Sequence, residues 1–273
     1  MKFGFILPSG DARAAAELAH LAEESGWDGF FVWESIWGVD AWVMLAAAAM
    51  VTRRIRLGTM LSPLPILKPW KLAGETAALD NLSGGRVILS VGLGAVDTGF
   101  GNFGEATDRK IRAEKLDEGL DVLTGLWAGQ PFQYDGKHYH LKPTTFNPPP
   151  PPVQQPRIPI WVVGAWPREK SMRRALRWDG LIPTRMSPQG EHLPVRPEDL
   201  IEMREYIRVN RPDSSPYDIV VEGKTPGNDW QRAEAAAAPW AEAGATWFNE
   251  AMWDEPDPEK VRERVRQGPP RGA

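Results

Sequence analysis

The chain has 273 residues, of which 42% are hydrophobic, so it can bury a core without a disulfide or metal to stabilise it. It contains no cysteine, which excludes thiol catalysis, iron–sulfur clusters and thiolate zinc sites, and its four histidines are too scattered to predict a metal centre. The net charge of −4 gives no electrostatic reason to expect nucleic acid or an anionic membrane as a partner.

The N-terminal segment and the apolar runs predict a cytoplasmic protein. Pro8 interrupts the first apolar residues too soon for a signal peptide. The longest apolar stretch, Ala41–Val51, is about half the length of a membrane-spanning helix. We therefore expect no membrane segment and a small-molecule partner.

Short β-branched and aromatic runs alternate with segments of helical period, which is typical of βα units around a parallel sheet. The predicted strands cover residues 3–7, 29–33, 55–59, 86–91, 158–163, 180–182, 217–221 and 245–249. The predicted helices cover residues 11–26, 41–51, 68–82, 107–128, 167–178, 197–209, 229–242 and 257–265. Eight strands and eight helices fit either a (β/α)8 barrel or a large doubly wound sheet, and we favour the α/β TIM barrel.

The alternation is interrupted between the fourth and fifth βα units. Residues 130–146 alternate around Asp135-Gly136, a strong signal for a hairpin. Residues 147–156 form a proline-rich connector that is typical of extended polyproline II. We predict one barrel domain over residues 1–266, with residues 130–156 as an insertion and residues 267–273 as a frayed tail.

The residues that follow the strands are the candidates for a functional site, because the carboxyl ends of barrel strands meet at one mouth. These residues are rich in glycine, small side chains and tryptophan, and they include few acid–base groups. Small residues let a ligand approach the backbone closely. The composition therefore favours a large planar cofactor with a phosphate tail over a hydrolytic site.

Two glycine-containing turns could bind a phosphate. Residues 92–94 (GLG) lack the third glycine of a dinucleotide fingerprint, whose place Asp97 takes, and no helix follows at once. An NAD(P)-dependent dehydrogenase on a doubly wound sheet thus stays only as an alternative. Residues 164–166 (GAW) are the better candidate, since they follow a strand and precede a helix with Pro167 in its first turn.

Several stretches of the chain resemble the luciferase-like monooxygenase family. The most specific are IRLGTMLSP at residues 55–63 and ETAALDNLSGGRVILSVGLG at residues 75–94. Further matches are IWVVGA at 160–165, DGLIP at 179–183, DIVVEG at 218–223 and EAGATW at 242–247. These matches occur in the same order as in the family, and the resemblance as a whole spans roughly residues 2–249.

Members of this family are α/β barrels that use reduced FMN or the deazaflavin F420. The resemblance therefore implies a flavin-type oxidoreductase, either a monooxygenase or a dehydrogenase or reductase, that acts on a small organic substrate. It gives a slight preference for F420, because many short single-chain members use that cofactor. It also implies a homodimer formed through the helices beside strands two and three.

The resemblance places the isoalloxazine-type ring in the mouth, near the ends of strands two to four. The turn at residues 59–61 matches the position at which many members have a cis peptide bond that does not precede proline. The residues predicted to bind the cofactor are Trp33, Thr59, Met60, Leu61, Gly92, Leu93, Gly94, Gly164, Ala165, Trp166 and Arg185.

The chain departs from the family where a proton-transfer group is expected. Many members have an acidic residue followed by histidine after strand two, whereas here Glu34 is followed by Ser35. Glu34 is the nearest ionisable replacement and is our candidate catalytic residue. The missing imidazole leaves a non-catalytic flavin-binding barrel as the alternative.

Overall fold

The computed structural model describes residues 1–211 and 215–270. Its strands are, in chain order, β1 (Lys2–Leu7), β2 (Gly29–Val32), β3 (Arg56–Thr59), β4 (Val87–Val91), β5 (Tyr134–Asp135), β6 (His140–Leu141), β7 (Ile160–Trp166), β8 (Gly180–Met186), β9 (His192–Leu193), β10 (Asp218–Gly223) and β11 (Trp247–Ala251). Its α-helices are α1 (Ala12–Glu24), α2 (Ala41–Val51), α3 (Pro69–Ser83), α4 (Arg109–Trp127), α5 (Glu169–Leu176), α6 (Pro197–Asn210), α7 (Trp230–Ala243) and α8 (Pro258–Gln267).

Eight of the strands form one closed parallel barrel. Their order around the barrel is β1–β2–β3–β4–β7–β8–β10–β11, and β11 pairs with β1. The circle is completed where β10 pairs with β8, through Asp218 opposite Gly180 and Ile219 opposite Leu181. The α/β TIM-barrel prediction is confirmed, and the doubly wound sheet is excluded.

Large aromatic side chains fill the barrel interior. The ring centroid of Trp161 lies 5.6 Å from that of Phe31 and 5.3 Å from that of Trp247. Glycines below them leave the space these rings need: a Cβ on Gly29 would lie 2.6 Å from the Phe31 ring, and one on Gly180 would lie 2.4 Å from Trp161. The interior is thus a packed core, as in other barrels of this kind, and a ligand has room above it at the carboxyl ends of the strands.

Glycines at the C-terminal ends and aspartates at the N-terminal ends of several helices fix where these helices stop and start, and so position the adjoining loops. Gly84 ends α3 at a φ of 69° and Gly244 ends α7 at a φ of 106°, a left-handed backbone that glycine adopts without steric cost. Five helices begin at an aspartate whose carboxylate accepts a hydrogen bond from the first turn: Asp11, Asp40, Asp108, Asp229 and Asp257.

The predicted insertion is a hairpin of β5 and β6 followed by a connector without regular structure. The Glu118 carboxylate on α4 holds the hairpin, accepting hydrogen bonds from the backbone N–H groups of Lys137, His138 and Tyr139 at 2.8–3.1 Å. The insertion therefore packs on the outside of the fourth helix and leaves the barrel order intact.

The structure extends several predicted elements. β7 continues to Trp166 instead of residue 163, so α5 begins at Glu169 and not at residue 167. β8 runs past Pro183 to Met186 and then pairs antiparallel with β9, a hairpin that the sequence did not predict. At the C-terminus α8 includes Gln267, and Gly268 is buried and accepts a hydrogen bond from Arg264 Nη1 at 2.8 Å, so the fraying predicted from residue 267 onwards does not hold there. Residues 271–273 of the predicted tail lie outside the described residues.

In the part of the chain that the structure describes, none of the helices is long and apolar enough to cross a membrane.

Candidate active site

A cavity of about 650 Å³ opens at the carboxyl ends of the barrel strands. The ends of β3, β7 and β8, the segments that follow β2 and β4, and the first turn of α4 contribute its walls. Seven of the twelve predicted site residues line it: Trp33, Glu34, Met60, Leu61, Leu93, Gly94 and Ala165. Most of these side chains are apolar, so the cavity offers a largely dry surface with a small number of polar groups.

Two further predicted residues lie just beneath the cavity wall. Thr59 is fully buried and donates a hydrogen bond from Oγ1 to the carbonyl oxygen of Ser90 at 3.2 Å. Gly92 lies between Leu61 and Val163, since a Cβ on Gly92 would be 3.1 Å and 3.0 Å from these two side chains. Both residues support the wall without being part of its surface.

The other three predicted residues face away from the cavity. Gly164 packs against α5, with room for no side chain. Trp166 Nε1 donates to Glu202 at 3.3 Å, and Arg185 forms an ion pair with Asp199 at 3.4 Å, so both side chains face α6. The extension of β7 and β8 explains this placement, because side chains alternate between the two sides of a strand. A cofactor contact by these three residues stays a prediction.

One wall of the cavity is formed where β2 and β3 end. The Met60–Leu61 peptide bond is cis, as the family resemblance implies for this turn. The Met60 N–H donates to the carbonyl of Val32 at 2.7 Å, and the Glu34 N–H donates to the carbonyl of Leu61 at 3.3 Å. These bonds join the two strand ends and fix the backbone from which Glu34 extends.

Both oxygen atoms of the Glu34 carboxyl group accept a hydrogen bond. Trp42 Nε1 donates to Oε1 at 3.2 Å, and the Ser62 hydroxyl donates to Oε2. Burial raises the pKa of Glu34 to about 7, although the hydrogen bonds from Ser62 and Trp42 lower it. A carboxyl group in this state can carry a proton at neutral pH and can also release it.

Arginines form the polar side of the cavity, and two of them are already engaged. Arg112 Nη1 donates to the carbonyls of Leu93 and Gly94, each at 2.9 Å, and so shapes the loop after β4. Arg174 Nη2 donates to the carboxylate of Asp117 at 2.8 Å. Arg109, in the first turn of α4, is exposed and forms no ion pair with any described residue. Its guanidinium group is therefore available to an anionic ligand.

Two further polar groups in the cavity were missed by sequence reasoning. Ser171 on α5 accepts a hydrogen bond from the backbone N–H of Ala165 at 3.0 Å, which leaves its own hydroxyl proton for another acceptor. His192 on β9 lies on the cavity wall with Nδ1 3.1 Å from Thr184 Oγ1. Neither has a local sequence motif, because each reaches the cavity only through the tertiary fold.

The fold and this cavity define a (β/α)8 barrel with a ligand site at the carboxyl mouth. Residues 1–243 match the model of the family described as "Luciferase-like monooxygenase". The chain belongs to this family.

Curated relatives and solved structures agree with this assignment. The chain is 35% identical over 127 residues to a Mycobacterium tuberculosis protein that is assigned by name to the coenzyme F420-dependent oxidoreductases, covering 46% of this chain and 36% of that protein. It is 32% identical over 123 residues to the oxygenase component of the flavin-dependent trigonelline monooxygenase of Acinetobacter baylyi, covering 45% and 33%. The matches thus span well under half the length of these two relatives.

Among solved structures, the coenzyme F420-dependent tetrahydromethanopterin reductase of Methanopyrus kandleri superposes with a TM-score of 0.74 at 19% identity, covering 98% of both chains. The oxygenating constituent of 3,6-diketocamphane monooxygenase of Pseudomonas putida, in complex with FMN, gives 0.72 at 17% identity, covering 98% of this chain and 96% of that one. At these identities the likeness shows the shared fold.

Proposed function

We propose that this protein is an oxidoreductase that binds reduced FMN or F420 in the mouth cavity and acts on a small organic substrate. The observation that carries the proposal is the cavity itself, about 650 Å³, with a proton-carrying Glu34 on its wall and an exposed Arg109 at its rim. A volume of this size falls in the range of small-molecule sites, and titratable groups with shifted pKa values are typical of active sites.

The lining of the cavity fits a cofactor with a flat apolar ring and an anionic tail. Leu61, Leu93 and Val163 offer apolar contacts to the ring. Arg109 and the free hydroxyl proton of Ser171 offer donors to a phosphate group, in place of the backbone amides of residues 164–166. We therefore assign the ring to the side of β3 and β4, and the phosphate to the side of α4 and α5.

The protein's own contribution to the reaction is binding, orientation and proton handling. When bound, a reduced flavin or deazaflavin supplies the electrons. The Glu34 carboxyl, held by Ser62 and Trp42, keeps a proton available on the cavity wall near neutral pH. Trp33, whose Nε1 donates to the carbonyl of Pro8 at 3.1 Å, lines the cavity, and we assign to it the exclusion of water from that side of the bound cofactor.

Between the two cofactors we keep the slight preference for F420, with dehydrogenase or reductase chemistry. Arg109 is exposed at the rim, where it can meet an acidic tail that extends out of the cavity. Anaerobic titration of the protein with F420 and with FMN, followed by fluorescence, tests this choice. Micromolar binding of F420 with weaker binding of FMN supports it, the reverse order assigns FMN, and binding of neither overturns the proposed function.

Substitution of Arg109 tests the phosphate end of the cavity. A charge-assisted hydrogen bond contributes about 1.5–3 kcal/mol, so Arg109→Gln is expected to weaken cofactor binding roughly tenfold or more. Arg232→Gln, an exposed arginine on α7, is the matched control and is expected to bind as the native protein does. Equal affinities in all three proteins would place the phosphate elsewhere.

Tight binding of F420 or FMN by the native protein, without turnover on a broad substrate panel, would favour the alternative of a non-catalytic flavin-binding barrel.

We further propose that two copies of the chain associate through α2 and α3. α2 has no charged residue, and its outer side exposes Val43 (57%) and Met50 (71%). The adjacent α3 exposes Trp70 (47%) and Leu82 (48%), so both neighbouring helices expose large apolar side chains. Monomeric proteins rarely expose such surfaces, and a second copy of the chain could cover this one in a two-fold symmetric dimer.

The cysteine-free composition suits the cytoplasm, where we propose that the dimer works.

A further inference from the structure

The hairpin of β8 and β9 brings a histidine over the cavity. Met186 at the end of β8 pairs with His192, and Arg185 pairs with Leu193, so β9 folds back beside the strand end. Nδ1 of His192 lies 3.1 Å from Oγ1 of Thr184. Both side chains line the cavity, and the exposed imidazole has the Thr184 hydroxyl as its hydrogen-bond partner.

The other three histidines of the chain are placed differently. His20 lies 3.3 Å from Glu24, His138 lies 3.0 Å from Glu114, and His140 lies 2.6 Å from Asp135. None of these three lines the cavity, and each is paired with a carboxylate on the outside of the barrel. His192 instead has a neutral hydroxyl as its partner and forms no ion pair with any residue that the structure describes.

His192 and Glu34 lie on opposite walls. Going round the barrel from β2, the strand order is β3, β4, β7 and then β8. Glu34 follows β2 and the pair of Thr184 and His192 belongs to β8, so the two positions are four strands apart in a barrel of eight. A ligand that fills the cavity therefore has one proton-carrying side chain on each side.

We propose that His192 is a catalytic residue that exchanges a proton with an oxygen atom of the substrate, while Glu34 carries a proton on the opposite wall of the cavity. The substrate class is an organic molecule whose reacting carbon bears a hydroxyl or carbonyl oxygen. The inference rests on the proposed function, since it assumes that a redox cofactor shares the cavity.

Thr184 acts as the positioning residue for this step. When Thr184 Oγ1 accepts from Nδ1–H, the lone pair of Nε2 is free to accept from the substrate. In the oxidative direction the O–H bond of the substrate breaks, and an N–H bond forms at Nε2. A bound oxidised cofactor would accept the carbon's hydride as the carbon–oxygen double bond forms, and the imidazolium would return its proton to solvent. The reductive direction reverses each of these changes.

Charged groups lie beside the hairpin that carries His192. Arg185 is paired with Asp199 on α6, and Arg168 donates to the carbonyl of Ser187 at 3.3 Å, next to the hairpin turn. Glu191 precedes His192 in the chain and is exposed. Among the described residues, none of these groups forms an ion pair with His192.

The inference can be tested by NMR, because the chain has only four imidazole groups to assign. The full-length protein is labelled in its histidines and titrated with F420 or FMN, and then with a small alcohol as the probe for the substrate. The expected result is a shift of the His192 signals alone, with the signals of His20, His138 and His140 unchanged. Thr184→Val is expected to change the ratio of the two His192 tautomers, and Thr184→Ser to restore it.

Variants connect this signal to turnover. His192→Gln is expected to lower kcat at least 100-fold while the cofactor binds as before. His140→Gln, on the exposed hairpin of the insertion, is the matched control with native kcat. Unshifted His192 signals in a protein that binds cofactor, or a native kcat for His192→Gln, would overturn the inference and leave the proposed function intact. Failure of both cofactors to bind would instead overturn the proposed function.

Discussion

Glu34 is a residue whose local environment has a measurable consequence for stability. Burial raises its pKa to about 7 from an ordinary value of 4.5, so the folded state binds this proton more tightly than the unfolded state does. The group therefore destabilises the folded protein progressively as the pH rises from about 4.5 through 7, and the full penalty is present above pH 7.

Replacement of Glu34 by glutamine removes that penalty. We expect Glu34→Gln to unfold with nearly native stability at pH 5, where the carboxyl is protonated in the folded state, and to be more stable than the native protein at pH 8.5 by about 3 kcal/mol. Urea unfolding at the two pH values measures the difference, and Glu242→Gln on the exposed side of α7 serves as the control. The same stability difference at both pH values would contradict the account of Glu34.

The sequence predicted site residues only where a strand end or a family motif marks them. Glu34 lies two residues after the end of β2, and Met60 and Leu61 lie in a family motif, so all three were found. Arg109 follows a long loop and has the sequence context of an ordinary helix start, while His192 lies on a two-residue strand. Their positions in the cavity depend on how loops fold back over the mouth, which no local pattern encodes.

At the scale of elements, the helices were predicted within about two residues at most ends because aspartate caps and glycine stops mark them. β8 was the main failure. The sequence predicted that this strand ends at residue 182, yet it continues through Pro183, which pairs with Gly164 of β7, to Met186 before turning into β9. The longer strand directs Arg185 toward α6, and the new hairpin places His192 over the cavity.

The outer faces of α2 and α3 give a prediction about assembly. A charge at the centre of an apolar dimer interface is costly, so Met50→Glu is expected to convert a dimer into a monomer at micromolar concentration. Val209→Glu, which changes an equally exposed apolar residue on α6, is expected to remain dimeric. Analytical ultracentrifugation distinguishes the two states. A native protein that sediments as a monomer would contradict the proposed interface.

At the scale of the whole molecule, the βα alternation and the family motifs were sufficient to predict the barrel and the place of its insertion. Alternation alone did not distinguish a barrel from an open sheet, because that difference depends on a single pairing, β8 with β10, between residues about 40 positions apart. The packed aromatic layer of Phe31, Trp161 and Trp247 then places the free volume at one end of the barrel. The central proposal, that a flavin-type cofactor binds in this mouth, rests on that geometry.

The dissociation constant of the cofactor in an Ala165→Trp variant tests this claim most directly. Ala165 lies on the cavity wall and is 5% exposed, so an indole at this position occupies the space assigned to the cofactor. Ala235→Trp on the exposed side of α7 is the control, and circular dichroism verifies that both variants are folded. We predict that Ala165→Trp binds F420 or FMN at least about 50-fold more weakly than the native protein, a loss of about 2.3 kcal/mol. Native affinity in a folded Ala165→Trp variant would contradict the placement of the cofactor in the barrel mouth.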